Sequence, residues 1–227
     1  MATGQPTTRA IVYIDGFNLY HGCFDDHTNR PHWRQYRWLD LDALCQTLCP
    51  QARVNRIRYF TALVDPYPTN PNNRARQLTY LRALGTIPHL TIHHGRFATN
   101  EKERPLAVPN APRPTPILPI RMVPIIEREE KGSDVNLASY LLLDAFRRDY
   151  DLAVVVTNDS DLAEPIRLVR SEFGLKVRIV NPRKGLAYGL RGIADFYSNI
   201  KLWMVQQSQF PPTMTDAVGT FTKPAHW

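Results

Sequence analysis

Residues 153–180 run AVVVTNDSDLAEPIRLVRSEFGLKVRIV. Ala153 to Thr157 is a compact β-branched run with no polar alternation, too short for a helix, and it predicts a buried strand. Asp161 and Glu164 stand at the spacing of a helix N-cap and its reciprocal acid, opening a helix that runs to about Phe173 and that Gly174 ends. Lys176 to Val180 reads as the next strand. A strand, a helix and a strand in close succession predict an α/β fold with a parallel sheet, since parallel neighbours need a crossover that a helix supplies.

The same grammar holds upstream. Ala10-Ile-Val-Tyr-Ile-Asp15 is a second buried strand, also ending in an acid. Leu39 to Leu48 has apolar residues at helical spacing and Pro50 stops it, Val54 to Val64 is β-like, and Asn72 to Leu84 is a basic helix ending at Gly85. Leu90 to Phe97 reads as a strand. Seven of the 19 prolines fall in residues 101–124, so that stretch is expected to be extended or loop-like. Leu137, Tyr140, Leu141, Leu142, Ala145 and Phe146 fit one face of a helix from about Asp134 to Arg148. The expected organisation is a flexible N-terminus at 1–8, one domain at 9–203 with a basic Pro-rich insertion at 101–124, and a flexible tail at 204–227.

Composition narrows the class. The chain has 227 residues, 43% hydrophobic and 22% charged, an ordinary globular balance. No apolar run reaches the ~18 residues of a membrane span, and the N-terminus lacks the apolar core of a secretory signal. Three cysteines make a disulfide framework improbable, so a cytoplasmic location is expected; Cys45 and Cys49, one helical turn apart, read as core residues rather than half a metal site. The net charge is +7, and residues 51–128 hold twelve basic residues against four acids. That arginine-rich excess is the footprint of a polyanion binder, with nucleic acid rather than a membrane as the expected partner.

Acids mark the place where chemistry is expected. Asp15 closes one strand, and Asn158-Asp159-Ser160-Asp161 follows another. Ligands of open parallel sheets bind outside the carboxyl ends of the strands, so these acids share a rim and converge if the two strands are neighbours. Each also has a plain reading: Asp161 and Asp134 as helix caps, Asp15 as a turn acid. Spacing alone leaves open whether Asp134, at a helix start, reaches the rim. Clustered carboxylates raise one another's pKa unless a cation is present, and magnesium or manganese takes carboxylate oxygen, water and phosphate. Asn18, three residues after Asp15, falls in the first turn of the following helix, where it can hold a carboxylate or serve as a simple cap. Asp144 lies ten residues beyond Asp134, about 15 Å along a helix, and reads as a solvent-facing acid near Arg147 and Arg148. His93 and His94 point to opposite faces of a strand and make no ligand pair. No glycine-rich dinucleotide turn follows the first strand, which continues Asp15-Gly-Phe-Asn18.

Four segments, taken together in this order, resemble the NYN domain family of the PIN-like nuclease superfamily. They are Tyr13-Ile-Asp-Gly-Phe-Asn-Leu19, Glu130-Lys-Gly-Ser-Asp-Val-Asn-Leu-Ala138, Val156-Thr-Asn-Asp-Ser-Asp-Leu162 and Leu175-Lys-Val-Arg-Ile-Val180. The resemblance covers about residues 9–200. It implies a Rossmann-like (PIN-like) central parallel sheet flanked by helices, and metal-dependent cleavage of RNA. By position it implies Asp15, Asp134, Asp159 and Asp161 as catalytic and metal-ligating acids for Mg or Mn, with Asn18 and Asn158 in support. Lys131, Arg96 and Arg121 are the expected substrate-binding residues. Relatives often carry a small residue where this chain has Asn158. The alternative is a non-catalytic RNA-binding or scaffold module of the same fold. The 101–124 segment and the tail match no motif and are the expected contacts for a second copy or a protein partner.

Overall fold

A computed structural model describes residues 8–25, 31–66 and 70–225; of the expected flexible N-terminus at 1–8, residues 1–7 lie outside them, as do residues 226–227 of the expected tail. Six parallel strands form the central sheet: β1 (Arg9–Asp15), β2 (Arg53–Thr61), β3 (Leu90–His94), then β6 (Leu152–Val156), β7 (Lys176–Asn181) and β8 (Phe196–Asn199). Their order in space is β3-β2-β1-β6-β7-β8. The chain therefore winds one way from β1 and, after returning to β6, the other way. The reversal between β1 and β6 opens a crevice at their carboxyl ends.

Alternation along β1 feeds two cores. Ala10, Val12 and Ile14 pack toward α1 (Gly16–Cys23), α2 (Leu41–Leu48) and α3 (Asn73–Leu84). Ile11 and Tyr13 face the cluster of Leu137, Leu141 and Ala145 from α4 (Ser133–Phe146) and Ile166 and Val169 from α5 (Ala163–Ser171). A strand buried on both faces reads as an unbroken apolar run, which is what the sequence presents. Cys23, Cys45 and Cys49 are free thiols in the core. Among the described residues no helix is long and apolar enough to cross a membrane.

Three expectations need correction. Asp144 is not at the surface: it is fully buried on the sheet side of α4, where its carboxylate accepts from Arg58 Nε at 2.7 Å, from an Arg58 terminal nitrogen at 2.8 Å and from the Tyr13 hydroxyl at 2.7 Å. Arg58, counted above toward a polyanion surface, lies over the Tyr140 ring and is itself buried. The helical period brings a carboxylate inward at this position because a buried guanidinium awaits it, and sequence shows no such pairing across 86 residues. Second, Leu90 to Phe97 is not one strand: β3 ends at His94, Gly95 interrupts it, and a separate strand begins at Arg96. The proline-rich stretch is extended, as expected. It is the tip of a two-stranded antiparallel arm, β4 (Arg96–Pro105) against β5 (Met122–Lys131), since backbone pairing leaves room for Pro105 and Pro124 at the arm's distal end. Third, the tail is folded. After α6 (Leu202–Gln207), β9 (Thr213–Asp216) and β10 (Gly219–Thr222) form a hairpin that buries Phe221. Arg82 fastens it, pairing with both Asp216 oxygens at 2.7 Å and lying over Phe221.

Candidate functional site

The carboxyl end of β1 delivers Asp15, which is 4% exposed. It caps α1: Oδ1 accepts the Asn18 backbone N–H at 2.9 Å, and Oδ2 accepts the Asn18 side-chain amide at 2.7 Å. Only glycine can follow it, because a Cβ at Gly16 would stand 2.7 Å from the Phe60 carbonyl and the Tyr59 ring. The neighbouring strand β6 delivers Thr157, fully buried, whose hydroxyl donates to Asp15 Oδ2 at 3.1 Å and accepts the Asp159 N–H at 3.1 Å. One hydroxyl thus ties the two strand ends together.

Asp159, rather than Asp161, is the capping residue after β6: its Oδ1 accepts the Asp161 N–H at 3.0 Å at the start of a short 3-10 turn, Ser160–Leu162. The capping role read into Asp161 and Glu164 is corrected, because the 3-10 turn shifts the start of α5 to Ala163. Asp161 is left exposed. Asn158 braces the surroundings. Its N–H donates to Asn18 Oδ1 at 3.3 Å, while its side chain donates to the Gly185 carbonyl at 3.2 Å and accepts the Ala187 N–H at 2.8 Å.

Asp134 arrives from the opposite side, in the first turn of α4. Its carboxyl is pushed up to about 6, first by burial and then by the charges of Asp15, Asp159, Glu130 and Asp161. Asp15 is likewise raised by burial, against the pull of its three hydrogen bonds, with Asp159 adding repulsion. The acids therefore feel one another across the crevice, and among the described residues no Lys, Arg or His forms an ion pair with any of them. Spacing had singled out neither Thr157 nor Glu130. Glu130 accepts the Ser133 N–H at 3.2 Å and closes on Gly95, where a Cβ would collide with its carboxylate. Its signal was its place in the segment Glu130-Lys-Gly-Ser-Asp134.

Among the described residues no three His, Cys, Asp or Glu side chains stand close enough to enclose one ion. That geometry does not suit a closed cage of protein ligands. An all-oxygen, uncompensated set does suit magnesium, which keeps several waters and binds through one or two carboxylates.

Two of the three expected substrate-binding residues are brought together. Arg96 and Lys131 pair in register at the base of the arm, with Lys131 Nζ 2.6 Å from Glu129. Arg121 precedes β5, roughly 30 Å from Lys131 at strand rise, so the two cannot hold one phosphate. Of the basic residues in 51–128, Arg56, Arg58, Arg74, Arg82, Lys102 and Arg104 are engaged with carboxylates. The basic excess is thus partly internal bracing.

Comparison with known proteins adds three findings. A family model described as "NYN domain" matches residues 9–201. A curated protein of Pseudomonas putida named 6-hydroxy-3-succinoylpyridine 3-monooxygenase is 29% identical over 196 residues, an alignment covering 78% of this chain. The chain spans 60% of the length of that relative. A solved structure of a Vibrio parahaemolyticus protein of unknown function is 16% identical, with a TM-score of 0.49 over 88% of this chain and 96% of that one.

Proposed function

The chain belongs to the NYN domain family, whose fold is of the nuclease type, and from that footing we propose that it is a metal-dependent nuclease hydrolysing RNA phosphodiester bonds at the β1/β6 crevice. The observation that carries this reading is the set of carboxylates with no basic partner among the described residues, where burial first and mutual repulsion second lift Asp134 to about 6. Repulsion of this kind destabilises the fold and is retained where function needs it.

Of Asp15, Asp134, Asp159 and Asp161, one or two would hold Mg or Mn directly and the others through its waters, with Glu130 beside them. The bound cation supplies Lewis-acid charge that offsets the phosphodiester's negative charge and favours a water nucleophile. The protein's own contribution is orientation. Asn18 and Thr157 fix both oxygens of Asp15, so its carboxylate has one rotamer. Thr157 and the Asp161 N–H fix Asp159 relative to it. Asn158 holds the segment from Gly185 to Ala187 against the crevice. Arg96 and Lys131, paired at the arm base that leads into α4, would meet the strand's backbone.

The test is cleavage of end-labelled RNA by purified protein with Mg2+ or Mn2+. Asp15→Asn is expected to abolish cleavage while RNA affinity stays similar or rises, because a carboxylate that repels phosphate is gone. Full activity from that variant would remove the assignment.

The name of the Pseudomonas putida relative supports a second reading, oxygenation of a nitrogen heteroaromatic ring. It predicts oxygen uptake on adding a reductant and a hydroxypyridine, and no RNA cleavage. The nuclease reading is preferred because β1 runs into Asp15-Gly-Phe-Asn18, without the glycine-rich turn that cradles a dinucleotide.

A further inference from the structure

Beside α1 lies a cavity of about 560 Å³, between α1, the carboxyl end of β2, α3 and the segment from Arg34 to Leu39. Well-packed interiors leave no such space, and this volume lies within the ~300–1,000 Å³ typical of small-molecule sites. Its walls have a consistent chemistry. Phe24, Tyr59 and Tyr80 line its depth and are buried, and Phe17 and Tyr20 of α1 complete an aromatic surround. The deep hydroxyls are committed inward: Tyr80 donates to the Leu39 carbonyl at 2.8 Å, and burial raises both tyrosines, so they stay neutral.

Arg34, Arg37 and Arg76 also line the cavity, and no Asp or Glu is among its described lining residues. Arg37 donates to the Tyr20 hydroxyl at 3.2 Å with its guanidinium over the Tyr20 ring, which sets a cation beside an aromatic face. Arg34 is exposed and Arg76 half-buried, so the charge sits toward the opening while the rings sit deeper. Gln77 does not fill the space, because both ends of its amide are held by the β2–α3 connection, at the Ala62 carbonyl and the Val64 N–H.

We propose that this cavity binds a planar aromatic ring bearing an anionic group, the ring between the aromatic side chains and the anion at the arginines. Two sources carry that chemistry: a nucleotide of the strand whose phosphodiester lies at the acids, and a free aromatic acid. Gly16 lines the cavity and follows Asp15 directly, so a nucleotide held here is next to the acidic crevice. Only the first source rests on the nuclease reading.

Binding is measured by calorimetry in EDTA, where no cleavage occurs, with UMP, uridine and pyridine-3-carboxylate as probes. At least one of the two anionic probes binds, and uridine binds about tenfold more weakly than UMP if the strand is the source. Arg34→Ala and Arg76→Ala each weaken the anionic probe about tenfold, and Tyr20→Ala weakens it without altering the melting temperature. UMP tighter than pyridine-3-carboxylate assigns the cavity to a strand nucleotide, and the reverse order assigns it to a free aromatic acid. No binding of either anionic probe at millimolar concentration, or affinity unchanged in all three variants, overturns the proposal. RNA cleavage is measured separately: binding without cleavage removes the nuclease reading and keeps this site, while cleavage without binding does the opposite.

Discussion

Removing one carboxylate from the crevice is expected to stabilise the protein while disabling it. Asp134 is the choice, because its carboxyl is raised from 3.8 to about 6 and its side chain takes no part in the cap of α4. A shift of that size corresponds to about 3 kcal/mol of disfavoured charge. Half-exposure screens part of it, and the N-terminus of α4 favours a negative charge, which leaves a gain of about 1–2 kcal/mol for Asp134→Asn. In a protein of this length that raises the melting temperature by roughly 3–6 °C. The direction with pH follows. A carboxyl whose folded pKa exceeds its unfolded value is neutral and harmless below about 4 and penalises folding once pH passes about 6. Melts in EDTA should therefore coincide for wild type and variant near pH 4 and separate between pH 4 and 7, with the variant higher. A variant melting at or below wild type at pH 7 in EDTA would refute the argument that burial and the neighbouring acids together disfavour the Asp134 charge.

Other outcomes follow from the same structure. Breaking the buried pair with Arg58→Met leaves Asp144 with only the more distant Arg56, at 3.8 Å, and the Tyr13 hydroxyl, and should cost about 3 kcal/mol, whereas Arg58→Met with Asp144→Leu should cost markedly less; urea titration separates them. His93, stacked on Phe60, is pushed down to about 4 by burial and the Arg58 guanidinium, with Asp144 opposing and His94 adding. The unfolded chain therefore binds the extra proton first, and stability present above pH 6.5 declines by about 1–2 kcal/mol as pH falls toward 4. His93→Gln should flatten that decline in pH-dependent melts.

The parallel sheet was legible because its central strands are buried on both faces and so spell themselves out as apolar runs. Ala10–Asp15 and Ala153–Thr157 needed no partner information to be read. The acids were legible as strand ends, but Asp134 was not: its approach depends on the β4–β5 arm delivering α4 to the crevice, a long-range fact that reached the reading only through resemblance. Asp144 and Arg58 were misread for the same reason, since a buried ion pair looks like two surface charges until both ends are placed. The tail misled because Gln, Pro and Thr suggest disorder, while Phe221 and Asp216 had partners in α3 that no local pattern reveals. The shift of the cap from Asp161 to Asp159 turns on a three-residue 3-10 turn, below the resolution of helix-capping rules.

The central claim is that the crevice lined by Asp15, Asp134, Asp159 and Asp161 takes up a divalent cation, through one or two carboxylates directly and the others through its waters, and Mn2+ titration followed by electron paramagnetic resonance of the free ion reads it directly. Wild-type protein should take up Mn2+ with an affinity that falls at least tenfold in both Asp15→Asn and Asp159→Asn, about the loss of one charge-bearing ligand. Equal Mn2+ uptake by wild type and both variants, or none by any of them, would contradict it.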